Sequence, residues 1–313
     1  MAQAPVVRVC YLYPRLLSVA GDRGNLFALL QRCAWRGIEY TVTEADVGEV
    51  PDFAKTDIVL LHGGQDREMT AAARDMAAKA GSLREAVESD AVVLAVCAGY
   101  QLLSHYYAPV SGPPLQGIGV LDAVTEGGKK RFIGHVAVEC QLSPGRRHLL
   151  AGFENHSGRT WLGKNVKPLG RVLAGAGNNG EDGTEGAKYR EVYATYLHGP
   201  VLPKNPWLAD HLISRALARR YPDFGPLAPL PDTTESQAQA AAIRLARHQA
   251  SGWRAAAAAI SRLVLQRPAP TTAAAPRDAT TRSPAGAAPD AIGVSLRDQR
   301  RERPESSTSA PRP

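Results

Sequence analysis

This sequence predicts an α/β fold, with a mostly parallel sheet covered by helices on both faces. Three observations predict it. Short apolar runs recur at 6–13 (VVRVCYLY), 57–64 (DIVLLHGG) and 91–96 (AVVLAV), without the polar alternation of a half-exposed strand. Segments with apolar residues at helical spacing separate them. Two of the runs end in residues suited to close backbone approach or to chemistry, Gly63-Gly64 and Cys97. Continuous apolar strands alternating with helices mean a parallel sheet buried on both faces. The ligand crevice of such a sheet lies at the carboxyl ends of its strands.

The elements follow in order. After the first strand, GNLFALLQRCAWRG (24–37) sets Leu26, Leu29, Leu30, Cys33 and Ala34 at helical spacing, and Gly37 ends the helix. IEYTVTEA (38–45) is the second strand and DIVLLHGGQD the third. Residues 67–88, rich in Ala, Glu, Arg and Lys, are helical. AVVLAV is the next strand, and GYQLLSHYY (99–107) starts the next helix. The middle is β-rich with glycine turns: IGVLDAVTE, RFIGHVAVEC, GRVLAGAG and EVYATYLHG. These segments are expected to add antiparallel pairs to the sheet edge. In NPWLADHLISRALARR (205–220), Asn205 is the N-cap, Pro206 the first helical residue, and Leu208, Leu212, Ile213 and Leu217 share a face. A Pro-rich connector spans 222–231. Residues 236–266 are Ala-rich and helical, with an interruption expected near Gly252. From Pro268 onward there is almost no large apolar residue, so the tail cannot offset its ordering entropy and reads as disordered. The expected organisation is one domain over 1–222, a connector and helical extension over 223–267, and a tail over 268–313.

The chain has 313 residues and is 44% apolar, enough for one substantial core. The net charge of +7 is modest and its basic residues are scattered. No aromatic-interleaved basic stripe points to nucleic acid. The start, MAQAPVVRVCYLYP, does not read as a signal peptide, and no apolar run approaches the roughly 18 residues needed to cross a bilayer. Cys10, Cys33, Cys97 and Cys140 have neither paired nor metal-ligand spacing and read as thiols of a cytoplasmic protein. No G-x-x-x-x-G-K-[ST] phosphate loop is present for ATP.

Cys97 carries the chemistry. At a strand-to-helix turn its side chain stands above the sheet, and the N–H groups of the following helix favour thiolate over thiol. Gly99 lets a substrate carbonyl reach the sulfur, and the Ala98 amide is a natural oxyanion donor. His198, at the end of VYATYLHG, can take the thiol proton and return it to a leaving amine. Gly63-Gly64 offers a second backbone N–H to the same crevice. Each feature also has a plainer reading: a buried apolar Cys, a structural His, an ordinary glycine turn.

Together these residues resemble the class I, triad-type glutamine amidotransferases, whose nucleophile sits in a C-x-G-x-Q elbow, here Cys97, Gly99 and Gln101. TYLHG resembles the cobyric acid synthase-like subgroup. Six segments in order, GDRGN (21–25), GGQDRE (63–68), CAGYQLL (97–103), GIGVLD (117–122), FENHSGRTWLG (153–163) and GNNGEDGTEGA (177–187), are similar to the GatD family, glutaminase subunits of lipid II isoglutaminyl synthase. The resemblance covers roughly residues 5 to 220. It implies a flavodoxin-like amidotransferase fold and glutamine hydrolysis through a Cys97 thioester. His198 would be the general base and acid, and the Gly64 and Ala98 amides the oxyanion donors. Arg131, or equally one charge of the basic turn 129–131, would bind the glutamine α-carboxylate, and Gln101 would lie near the elbow. It also implies a MurT-like, Mur-ligase-type synthetase partner in a heterodimer, with ATP and Mg on that partner and lipid II as acceptor. Most triad amidotransferases carry a Glu two residues after the His; here His198-Gly199-Pro200 has none. An acid from the partner, or from the region of Glu154, Asn155 and His156, is expected to orient His198. The alternatives are a corrinoid carboxylate as acceptor, a Cys peptidase or γ-glutamyl hydrolase, and a non-catalytic partner-binding scaffold.

Overall fold

The computed structural model describes residues 4–18 and 21–265, with side chains as far as Gly252. The tail expected to be disordered lies outside the described residues.

The first half alternates strand and helix: β1 (Val6–Leu12), α1 (Arg23–Ala34), β2 (Glu39–Ala45), β3 (Ile58–Leu61), α2 (Asp66–Glu88), β4 (Val92–Val96) and α3 (Ala98–Leu103). The second half runs β5 (Tyr106–Ala108), β6 (Leu115–Gln116), β7 (Ala123–Ser143), β8 (Arg146–Leu162), β9 (Gly170–Ala174), β10 (Thr184–Glu185), β11 (Ala187–Tyr189), β12 (Val192–Thr195), α4 (Val201–Lys204), α5 (Pro206–Arg220) and α6 (Thr233–Leu265).

The main sheet has the order β11-β12-β4-β3-β1-β2. Its pairs are parallel except the edge pair β11–β12. With β12 as the fifth strand, this is the 2-1-3-4-5 order of flavodoxin-like folds. Every residue of β3, β4 and β12 is buried, because helices cover both faces. On one face Cys10, Leu12, Val59 and Leu61 pack with Met69, Ala72, Met76 and Leu83 of α2. On the other, Val9, Tyr11, Ile58 and Leu60 pack with Leu26 and Leu29 of α1 and Leu208 and Leu212 of α5. Each such aliphatic side chain contributes about 1.5–3 kcal/mol on burial.

The β-rich middle adds two strands to this sheet: β12, expected in an antiparallel pair but parallel to β4, and the antiparallel edge strand β11. The remaining strands form a second sheet, β10-β9-β7-β5-β6, with β8 paired to β7. The reason is the length of the β7–β8 hairpin, 21 and 17 residues. Such a pair presents two apolar faces. Val136, Val138 and Cys140 join the core shared with α1 and α5, while Ala137, Ala151 and Ala174 meet Ile243 and Ala246 of α6.

Three local expectations are corrected. The helix begun by GYQLLSHYY ends at Leu103, and Tyr106–Ala108 is a strand of the second sheet. α6 continues through Gly252 without interruption. Asn205 does occupy the N-cap of α5, but its side chain makes no cap bond. It accepts from Ala151 N and donates to Ala151 O, both at 2.8 Å, tying the helix to β8.

Buried Arg32 of α1 pairs with Asp210 of α5 and with Asp232, just before α6, at 2.6 Å each. Removing Arg32 leaves Asp232 without its cation, although Asp210 keeps Arg36 at 2.7 Å. Arg32→Ala is therefore expected to lower the unfolding free energy by about 3–5 kcal/mol, measured by urea denaturation. A loss comparable to a surface pair, under about 1 kcal/mol, would contradict this.

Candidate active site

The all-buried β4 delivers Cys97 to the carboxyl end of the sheet. Cys97 has φ 52° and ψ −101°, a left-handed backbone held by a non-glycine residue. Such strain costs on the order of 1–3 kcal/mol and persists only where the surroundings enforce it. They do so here: Cys97 N donates to Thr195 O at 2.9 Å, Gly99 N to His62 O at 3.1 Å, and Gln101 N to Cys97 O at 3.1 Å. A Cβ on residue 99 would collide with the Leu61 carbonyl, so only glycine fits behind the sulfur. Ala98 opens α3, so its N–H has no partner within the helix. Of the four cysteines, Cys10, Cys33 and Cys140 are buried and burial pushes each up to about 12. Cys97 is half-buried and lines the cleft.

His198 follows β12 and is anchored by backbone bonds to Phe153, 2.9 and 3.1 Å. Its Nδ1 lies 3.0 Å from Asp22 Oδ2, both residues being buried. His198 lines the same cleft as Cys97. With Nδ1 committed to Asp22, Nε2 is the nitrogen left for the thiol. Burial works against the imidazolium, but the Asp22 and Cys97 hydrogen bonds and charges outweigh it, raising His198 to about 10.

The carboxylate bonded to His198 belongs to this chain: it is Asp22, where an acid from the partner or from Glu154 was expected. Glu154 accepts from Ala176 N and Gly177 N at 3.0 Å, and burial raises it to about 7 despite those bonds. Asp22 lies 176 residues before His198. The signal for it was GDRGN, whose other residues serve the same junction. A Cβ on Gly24 would meet Pro200 Cγ at 2.5 Å, and Asn25 Oδ1 accepts from Leu202 N at 2.9 Å. Gly63 N also donates to Asp22 Oδ2, at 3.3 Å.

The cleft above the sulfur holds about 640 Å³. It is lined by the Gly64–Met69 stretch, which follows β3, and by Arg131 and Asn155–Gly158 from the β7–β8 hairpin. Gly64 packs closely on the Leu17 side chain, which would have to shift to admit a Cβ. Arg131 sits where β7 and β8 slip register, between Gly127 and Phe132, and its guanidinium donates to Asn155 O and Oδ1 at 3.0 Å. Gln101 lines the cleft while its amide donates to Tyr196 OH at 3.2 Å. Cys97, His198, Gly64, Arg131 and Gln101 thus meet in one cleft, with Ala98 beside it at the head of α3. A thiol, an imidazole, a carboxylate and backbone donors in this order suit acyl transfer.

A family model described as a CobB/CobQ-like glutamine amidotransferase domain matches residues 8–206. The chain belongs to the CobB/CobQ-like glutamine amidotransferase family. The lipid II isoglutaminyl synthase (glutamine-hydrolyzing) subunit GatD of Streptococcus pneumoniae is 38% identical over 69% of this chain and 82% of its own length. The subunit of the same name from Staphylococcus aureus is 38% identical over 67% and 84%. The cobyric acid synthase of Pelotomaculum thermopropionicum is 32% identical over 45% of this chain and 29% of its own length. As an amidotransferase of this family the protein is an enzyme. Among the described residues no helix is long and apolar enough to cross a membrane, and no cluster of His, Cys, Asp and Glu is arranged to hold a metal.

Because His198 stands above its ordinary value of 6.5, its charged state stabilises the fold fully below about pH 6.5, and that contribution is lost as pH rises through about 10. Asp22→Asn is expected to bring the His198 titration, followed by NMR, down toward the ordinary range, and to flatten stability over that window. An unchanged titration would remove Asp22 from the role.

Proposed function

We propose that this enzyme is the glutaminase subunit of a cell-wall amidotransferase. It releases ammonia from glutamine to a Mur-ligase-like, MurT-type partner that amidates the α-carboxylate of D-glutamate in the lipid II stem peptide. Cys97 and His198 lining one cleft, with Asp22 bonded to His198 behind it, carry the reading of the chemistry. The acceptor is inferred from the GatD relatives, matched over four-fifths of their length against under a third for the cobyric acid synthase.

In this reading Arg131 seats the glutamine α-carboxylate. The Cys97 thiolate attacks the side-chain carbonyl carbon, and the Gly64 and Ala98 N–H groups hold the resulting oxyanion. His198 protonates the amide nitrogen, the C–N bond breaks, and ammonia leaves a glutamyl thioester. His198 then takes a proton from water, which attacks the thioester; glutamate departs and the thiolate returns. Asp22 holds the imidazole in one tautomer and balances its charge. ATP and Mg are assigned to the partner, and the heterodimer to the cytoplasm.

Two measurements test this. A diazo-ketone glutamine analogue is expected to label Cys97 and none of the three buried thiols, and Cys97→Ser to abolish glutamine turnover with the fold intact. Labelling elsewhere with Cys97 untouched defeats the assignment. With its acid in the same chain, the isolated subunit is expected to hydrolyse glutamine, and Asp22→Asn to lower kcat by about 10²–10⁴-fold. A wild-type chain silent without its partner would return the orienting role to the partner.

A further inference from the structure

Asp66 is the first residue of α2, and it lines the cleft together with Cys97, His198 and Arg131. An acid in a first helical turn ordinarily complements the helix dipole. Three observations give Asp66 a further use. It is exposed, and among the described residues its carboxylate enters no ion pair; Thr70 bonds only its backbone carbonyl. Among the described residues it is also the one carboxylate lining the cleft, against the guanidiniums of Arg67 and Arg131. Finally, buried Tyr107 of β5 lines the same cleft and feels these charges together. Burial raises its phenol, the negative charges of Asp66 and Cys97 raise it further, and Arg131 opposes them. Carboxylate, sulfur and guanidinium thus all act on one ring.

We propose that Asp66 pairs with the α-ammonium of glutamine and so confines the cleft to the free amino acid. The inference rests on the glutaminase reading above. Free glutamine carries a cation and an anion on its α-carbon. Arg131 serves the α-carboxylate. The ammonium then enters a cleft whose two guanidiniums repel it, and it needs an acceptor that bears charge. Asn155 does not supply one, because its carbonyl and side-chain oxygens both accept from Arg131 at 3.0 Å. Asp66 does. Its carboxylate is exposed and holds no other cation, so the ammonium meets it without first breaking a contact within the protein. A charge-assisted bond of this kind is stronger than one between neutral groups. Glutamine within a peptide, or acylated on its nitrogen, has no ammonium and would set a neutral amide against Asp66. Discrimination then comes both from the contact made and from the contact denied.

The probe is glutaramate, which keeps the carboxamide and the carboxylate of glutamine and lacks the α-amine. In the wild-type chain, kcat/KM for glutamine is expected to exceed that for glutaramate by about 10²-fold, mainly through KM. Asp66→Asn is expected to remove most of that advantage by lowering kcat/KM for glutamine, with glutaramate unchanged. Asp66→Glu, which keeps the charge, is expected to restore part of the preference. A loss shared equally by both substrates would make Asp66 merely structural and overturn the proposal. So would an Asp66→Asn chain that keeps the wild-type preference. A measurement with Asp66 intact avoids any folding defect. In Cys97→Ser, glutamine is expected to bind at least about tenfold tighter than glutaramate. Equal affinities overturn the proposal. A wild-type protein that does not hydrolyse glutamine fails the glutaminase reading instead, a distinct result.

Discussion

The Asp22–His198 hydrogen bond is the constraint around which the rest of the site is built. It joins Asp22, at the N-terminus of α1, to the turn after β12. A buried carboxylate beside a buried imidazole is tolerable only when each is the other's partner. The neighbours enforce that closeness. Gly24 admits Pro200, Asn25 closes on Leu202, and Gly63 adds a donor to Asp22.

Further supports converge on the same strand. Glu185, fully buried and raised to about 7 by burial, accepts from Tyr196 N at 2.7 Å and from Thr195 Oγ1. Tyr196 in turn meets Thr160, Gln101 and the His156 ring. Glu154 holds the 176–177 turn, whose neighbour Asn178 closes on Gly186. Segments scattered through the sequence are thus consecutive links in one polar network around β12. Such networks specify a geometry when every member is satisfied, and they are expensive when one is not.

Much of this was legible in the sequence. The apolar runs marked β1, β3 and β4, because full burial on both faces leaves no alternation to confuse. The elbow at Cys97 was legible because a thiol between a buried strand and a glycine is an uncommon local pattern. The second sheet was not, since the pairing of β7 with β8 and the packing of α6 on it are decided by contacts far apart in the chain. Asp22 was missed for the same reason: GDRGN stood out, but nothing local tells an N-terminal helix residue that it will face His198. Asn205 illustrates a competing use. Its position was right, and its side chain went to Ala151 because an unpaired buried backbone group outweighs a helix cap. Gly252, read as a break, sits in a helix with open space around it.

The left-handed backbone at Cys97 has an evolutionary consequence. At φ 52° the position suits glycine better than any residue with a Cβ. Selection for the thiol therefore works against selection for the fold at this one site. In a lineage released from the need for the sulfur, drift would run toward glycine, and the drifting chains would become sturdier as they fell silent. A cysteine at this position is thus itself a record of use, maintained against a standing thermodynamic preference for its loss.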